Sequence, residues 1–144
     1  MSKIRTFARL PLRTKWLFAE ALFTSAWVKL SLSFLPFKRV LAWLGGMQTE
    51  GDTNADPETL DIRRQVKTAL ALCNKYALWP TECYTLSLTG KLLLKRRKIG
   101  STLYIGFKKK EDGKYKGHAW LRANDTYISG YKEARDFQVH SMFS

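Results

Sequence analysis

Trp79-Pro80-Thr81-Glu82-Cys83-Tyr84-Thr85-Leu86-Ser87-Leu88-Thr89-Gly90-Lys91-Leu92-Leu93-Leu94-Lys95-Arg96-Arg97-Lys98-Ile99-Gly100 is the stretch on which the fold turns. Pro80 and Thr81 are helix-start residues and Gly100 is a helix stop, so the run between them reads as one helix. With Thr81 as the N-cap, Cys83 falls in the first turn. Unpaired backbone N–H groups and the positive end of the helix dipole favour a thiolate over a thiol at such a position. Cys83, Ser87, Gly90 and Leu94 share a stripe, and the small Ser87 and Gly90 permit close approach to a sheet. Leu86, Leu88, Leu92 and Leu93 widen the apolar surface. Lys95 to Lys98 close the helix at the negative end of its dipole, where cations are favourable. A solvated helix end and a docking site for an acidic partner are both open for that run.

Downstream the period changes from helical to alternating. Leu103, Ile105 and Phe107 alternate with Thr102, Tyr104 and Gly106, the pattern of a half-buried strand. A turn signal at Asp112-Gly113 leads into a second strand, Tyr115 to Arg122, which places His118 and Trp120 on one face. Asn124-Asp125 is the next turn, and Thr126 to Ser129 completes a meander. Phe137 to Phe143 reads as a last strand, with Phe137, Val139 and Ser141 on one side. Upstream, Asp56-Pro57-Glu58 is a helix start, with an acidic N-cap and proline at the first position. That helix is expected to run to about Tyr76, burying Ile62, Val66, Ala69, Leu70 and Cys73, with Arg63, Arg64 and Lys67 facing water. The class is α+β, with a Cys-bearing helix packed on a small antiparallel sheet. Cys83 and His118 are the candidate nucleophile and base, because a cysteine nucleophile needs a partner to take and return its proton. Spacing alone leaves open a small buried hydrophobe for Cys83 and a structural role for His118. Cys73, in Ala69-Leu70-Ala71-Leu72-Cys73, reads as buried.

A chain of 144 residues can bury one core, and 45% hydrophobic with 13% aromatic residues excludes a disordered chain. The net charge of +13 points to nucleic acid, an anionic membrane, or an acidic protein or peptide. Two cysteines and two histidines are too few for a disulfide framework or a zinc site. Reduced thiols, and hence the cytoplasm, are the default. No phosphate-loop signature is present. No RRM, KH or helix-turn-helix signature appears either, so nucleic acid is not expected as a partner. Aromatics such as Trp27, Trp43, Tyr104 and Tyr115 among many lysines and arginines keep a non-catalytic basic binding module for nucleic acid or anionic membrane as the rival reading.

Residues 1–54 form a basic helical region and linker, with a break at Pro36, a stop at Gly45-Gly46 and a polar stretch from Met47 to Asn54. Trp16 to Phe37 is strongly apolar, but Glu20 and Lys29 interrupt it. Each charge near a bilayer centre costs about 2.5–3.5 kcal/mol on insertion scales. At helical spacing Trp16, Phe23, Trp27, Leu30 and Phe34 make an apolar face. That face is expected to pack on the domain or a partner, with a peripheral membrane contact as the alternative.

Residues Ile62 to Gly130 resemble the B2-type proteins of lasso peptide biosynthesis. The Cys83 helix running into Leu92-Leu93-Leu94-Lys95-Arg96-Arg97-Lys98-Ile99-Gly100 carries the likeness. So do Leu103-Tyr104-Ile105-Gly106-Phe107-Lys108-Lys109 and His118-Ala119-Trp120, and upstream Phe34-Leu35-Pro36-Phe37-Lys38-Arg39. Such proteins are small transglutaminase-like cysteine proteases that remove the leader from a ribosomal precursor peptide. The resemblance implies a transglutaminase-like, papain-like core over residues 55–144, with no cofactor and no metal. It implies Cys83 as nucleophile, His118 as acid and base, and the Cys83 backbone N–H as oxyanion donor. It implies a precursor peptide as substrate, a leader-recognition partner protein and a macrolactam cyclase acting downstream. Such proteins usually add an Asp on the strand after the histidine. The matching Tyr127-Ile128-Ser129-Gly130-Tyr131 has no carboxylate, so the third member is unassigned. Asp125 is a weak candidate, with Asn124, Glu133 and Asp136 behind it. The glutamine that papain-like enzymes carry before the cysteine is also missing, with Ala77 at that position.

Overall fold

The computed structural model describes residues 5, 8–42, 51, 54–79, 81–134 and 136–144. Helices α1 (Leu12–Phe34), α2 (Phe37–Ala42), α3 (Leu60–Tyr76) and α4 (Cys83–Arg96) precede strands β1 (Thr102–Lys109), β2 (Tyr115–Ala123) and β3 (Thr126–Ser129). A short helix α5 (Tyr131–Ala134) and strand β4 (Gln138–Phe143) follow. The expected Gly45-Gly46 stop, Trp43, most of the Met47–Asn54 linker and the Pro80 start signal lie outside the described residues.

The sheet is antiparallel, in the order β3-β2-β1-β4. Alternation along its strands makes two cores. On one face Leu103, Ile105, Ala119 and Leu121 pack with Leu70, Leu88, Leu93 and Leu94 of the helices. On the other, Tyr104 and Trp120 pack with Ala134, Tyr127, Phe137 and Met142. The chain passes from β3 at one edge to β4 at the other across this second face, with α5 packed on β2. A register shift at Ile105/Gly106 alters the pairing of β4, and Val139, expected on one side with Phe137 and Ser141, is exposed. Phe137 lies before the strand begins, and Ser141 is buried.

Helix boundaries depart from the sequence signals for local reasons. Asp56 does not cap α3. Its Oδ1 accepts the Glu58 N–H at 3.2 Å and its Oδ2 accepts the Thr59 hydroxyl at 2.9 Å. This Asx turn holds residues 57–59, and the helix starts at Leu60. α4 starts at Cys83, with Glu82 rather than Thr81 at the N-cap. It ends before Gly100 because Lys98 takes a left-handed φ of 60°. The Lys98 N–H then reaches the Lys95 carbonyl at 3.0 Å and the Ile99 N–H the Leu94 carbonyl at 2.9 Å, a Schellman closure.

α1 packs on α3 and α4, but not by the expected face. Its buried side is Leu17, Phe18, Ala21, Thr24, Ser25, Val28 and Ser31, while Trp16, Phe23, Trp27, Leu30 and Phe34 are exposed. The smaller residues Ala21, Thr24, Val28 and Ser31, spaced 3, 4 and 3 apart, let the helix axes approach closely, and polar clamps fix its rotation. Glu20 receives Arg96 at 3.2 Å and also Arg97, and Lys29 reaches Glu82 at 2.8 Å. The Arg97 guanidinium chiefly, against burial and with help from Arg96, holds the Glu20 carboxyl below its ordinary value. Half of the basic run at the end of α4 is therefore an internal clamp.

Arg63, expected to face water, is fully buried. It reaches the Asp56 and Ala123 carbonyls, the Thr59 and Thr126 hydroxyls and the Asp125 carboxylate. Acceptors converging from three segments outweigh the desolvation of a guanidinium, which a helix-face pattern cannot foresee.

Candidate active site

Cys83 is the first residue of α4, and its thiol is free and half-buried. The first bond of this helix runs from the Leu86 N–H to the Glu82 carbonyl at 3.0 Å. The Cys83 N–H therefore opens the helix without an intrahelical acceptor, a donor suited to a developing oxyanion. Burial, and secondarily the adjacent Cys83 sulfur, push the Tyr84 phenol up from its ordinary value.

Three close contacts register α4 against the sheet. A Cβ at Gly90 would lie 2.8 Å from side-chain atoms of Leu121 and Leu70, so the glycine is what lets the helix sit down. One helical turn earlier, the Ser87 and Ser129 hydroxyls are 2.9 Å apart. Nearer the start, a Cβ at Gly117 would lie 2.7 Å from the Tyr84 hydroxyl. The N-terminus of α4 thus sits at the end of the sheet where β2 carries Gly117 and His118.

His118 is buried on the second face, stacked with Trp120 at 5.8 Å and tilted against Phe137 at 5.1 Å between ring centroids. Its Nε2 lies 2.8 Å from the Gly130 carbonyl. A carbonyl only accepts, so Nε2 carries a proton, and in the neutral ring Nδ1 is the nitrogen left to act as a base. Gly130 fits there because its φ is 74° and a Cβ would stand 2.6 Å from the Ala119 carbonyl. Gly106, paired with His118 across the ladder, makes room for the Trp120 ring, 2.9 Å from where its Cβ would be.

The structure therefore brings Cys83 and His118 to one end of the sheet, from its two faces, and no hydrogen bond joins them. Asp125 does not orient the imidazole. It sits at the β2–β3 turn, and its carboxylate is bonded to Arg63 at 2.9 Å. The group at the imidazole is Gly130, which a search for carboxylates passes over. Its one sequence signal is a glycine ending the strand after the histidine strand. Among the described residues no cluster of three or more His, Cys, Asp or Glu side chains could hold a metal ion.

Two grooves adjoin this end. One, about 510 Å³, runs between α3, α4 and β3 and is lined by Leu86, Tyr127, Ile128, Gly130, Tyr131 and Lys132 among others. The other, about 1090 Å³, lies along the β1–β2 hairpin and β4 and is lined by Phe107, His140 and four lysines, Lys108, Lys109, Lys110 and Lys116, with the acidic Glu111, Asp112 and Asp136. Phe107 links it to the site, its ring edge 3.2 Å from where a Gly117 Cβ would be.

A model of the transglutaminase-like superfamily matches residues 31–142, more than half of the 144-residue chain. No curated protein and no solved structure matches it. A helix opened by cysteine, laid on an antiparallel sheet whose second strand carries histidine, accords with that match, and the chain belongs to the transglutaminase-like superfamily.

Proposed function

We propose that this protein is a cysteine peptidase that removes the leader from a ribosomally made lasso peptide precursor. It acts in the cytoplasm with a leader-binding partner protein and ahead of a macrolactam cyclase. The observation that carries the reading is a half-buried thiol at the start of α4, near the end of the sheet where β2 carries His118, whose Nε2 lies within hydrogen-bond distance of the Gly130 carbonyl. Cys83 gives its thiol proton to Nδ1 of His118 as its sulfur attacks the scissile carbonyl carbon, and the oxyanion is met by the Cys83 N–H at the start of α4. The C–N bond breaks as His118 delivers a proton to the leaving amine. Water, deprotonated by His118, then hydrolyses the thioester to a carboxylic acid and restores the thiol. The transfer requires the sulfur and Nδ1 to come within hydrogen-bond reach of each other in the substrate complex. The apolar groove beside Gly130 suits side chains flanking the scissile bond, and the lysine-rich groove suits an acidic stretch of leader.

The test is cleavage of a precursor peptide by the full chain with its partner. Cys83→Ala and His118→Ala should each abolish cleavage while the circular dichroism spectrum stays unchanged. Iodoacetamide near pH 6 should modify Cys83 well before Cys73, whose thiol burial pushes up. Cleavage surviving in both variants would remove the assignment.

A second reading, a basic binding module without catalysis, is favoured by one observation. The imidazole is held on the sheet face away from α4. Slow alkylation of Cys83, together with no cleavage of any precursor, would select it.

A further inference from the structure

We propose that α1 lies flat in the interface of an anionic lipid bilayer, inserting the side chains on its outer side. Leu12, Trp16, Phe23, Trp27, Leu30 and Phe34 are exposed, from 55% for Leu30 to 80% for Phe34. At about 100° per residue their spacing confines them to an arc of roughly 60°. Scattered surface leucines need no account, but a continuous stripe of large apolar side chains along a 23-residue helix does. This helix has two apolar stripes, and the domain uses only the one with small residues.

Length and composition would also let α1 cross a membrane. Its packing argues against that. Ala21 and Val28 are buried in the core, Glu20 is clamped by Arg96 and Arg97, and Lys29 by Glu82. Spanning would strip that face and place both charges in hydrocarbon, whereas lying flat keeps every one of these contacts.

Charge selects the occupant. Each chain carries +13, so apposing two copies along this helix brings like charges together. An anionic surface gains from the same charges. Exposed Arg5, Arg9 and Arg13 stand at the N-terminal end of the stripe and exposed Arg39 beyond its C-terminal end. Two indoles on the stripe suit the headgroup level, where an apolar ring body and a polar N–H both find partners. Because Lys29 is bonded to Glu82, the residue before Cys83, docking would also fix the start of α4 relative to the membrane. The inference does not depend on the peptidase reading.

The test is sedimentation of the full chain with vesicles of phosphatidylcholine alone or mixed with phosphatidylglycerol. Binding should be at least about tenfold stronger to the anionic vesicles and should weaken at high salt. Tryptophan emission should shift to the blue on binding. Trp16→Ser with Trp27→Ser should cut binding about tenfold with the fold unchanged, since both side chains lie outside the core. Binding unaffected by that double substitution would show attraction by charge alone and overturn the proposal. So would a chain that ignores vesicles yet runs as a dimer that the double substitution dissociates, which assigns the stripe to a second copy. Failure to bind either vesicle overturns it as well.

Discussion

The two ends of the β2–β3 hairpin hold basic side chains in opposite ways. At the turn, Arg63 is 0% exposed and meets a carboxylate, two backbone carbonyls and two hydroxyls. At the open end, His118 is 7% exposed and its ring nitrogen Nε2 meets one neutral carbonyl. A guanidinium stays charged at any ordinary pH, so burial demands a counter-charge and a full set of acceptors. An imidazole can stay neutral, and a carbonyl suffices to fix its tautomer. The carbonyl gives less help than a carboxylate to the imidazolium that forms during acyl transfer. The hairpin thus spends its carboxylate on architecture and leaves the candidate base with orientation alone.

The largest expected effect tests the turn end. Arg63→Ala should cost about 3–5 kcal/mol of stability in urea denaturation, because it orphans acceptors from three segments. A loss under about 1 kcal/mol would show that water replaces the guanidinium and that this end is not what pins α3 to the hairpin.

An intermediate case sharpens the contrast. Lys91 is 5% exposed and donates to the Ser101 carbonyl at 2.6 Å, with no carboxylate partner among the described residues. Burial first, then the charge of Lys95, push its value down to about 8 from 10.5. The folded value lies below the unfolded one. Between those two pH values the unfolded chain therefore binds more protons, and stability rises with pH across that window. The rise should reach at most about 3 kcal/mol in the native sequence and be missing from Lys91→Met, compared by urea midpoints at each pH. Identical pH profiles for the two proteins would mean that Lys91 is solvated in solution.

At the open end, adding a carboxylate should fail. Gly130→Asp puts a side chain at φ 74°, with its Cβ 2.6 Å from the Ala119 carbonyl and 3.0 Å from Trp120. The expected result is a loss of about 2 kcal/mol and slower precursor cleavage. Faster cleavage would show that the strand relaxes and that only a missing charge limited the site.

What the sequence made legible follows from what periodicity encodes. The helix after Pro80, the alternation of β1 and β2 and the turns at Asp112-Gly113 and Asn124-Asp125 are local patterns, and the elements stand there. Cys83 at the helix start and His118 beside Trp120 on one strand face follow from the same patterns. Arg63 did not, because three of its five acceptors, including its carboxylate partner, come from residues 60 to 63 positions away. α1 did not, because spacing finds stripes but not their direction. Both its aromatic and its small-residue stripes repeat at helical intervals, and only the shape of α3 and α4 chooses between them. The partner of His118 escaped because a backbone carbonyl has no letter in the sequence.

The smallest effect bears most directly on whether the two ends are independent. Asp125 is bonded to Arg63, and that hydrogen bond above all holds its carboxyl below the ordinary value. Its folded value lies below the unfolded one, so its contribution is present above the unfolded value and lost as pH falls through the folded one. Asp125→Asn should therefore lower stability at neutral pH slightly and flatten the acid decline. Precursor cleavage per folded molecule should stay within about twofold of the native rate, since the carboxylate belongs to the turn and not to the imidazole. If Asp125→Asn slowed cleavage as much as His118→Ala, with the fold intact, the hairpin would have to carry the charge at Asp125 along β2 to the ring. The separation between an architectural end and a chemical end would then fail.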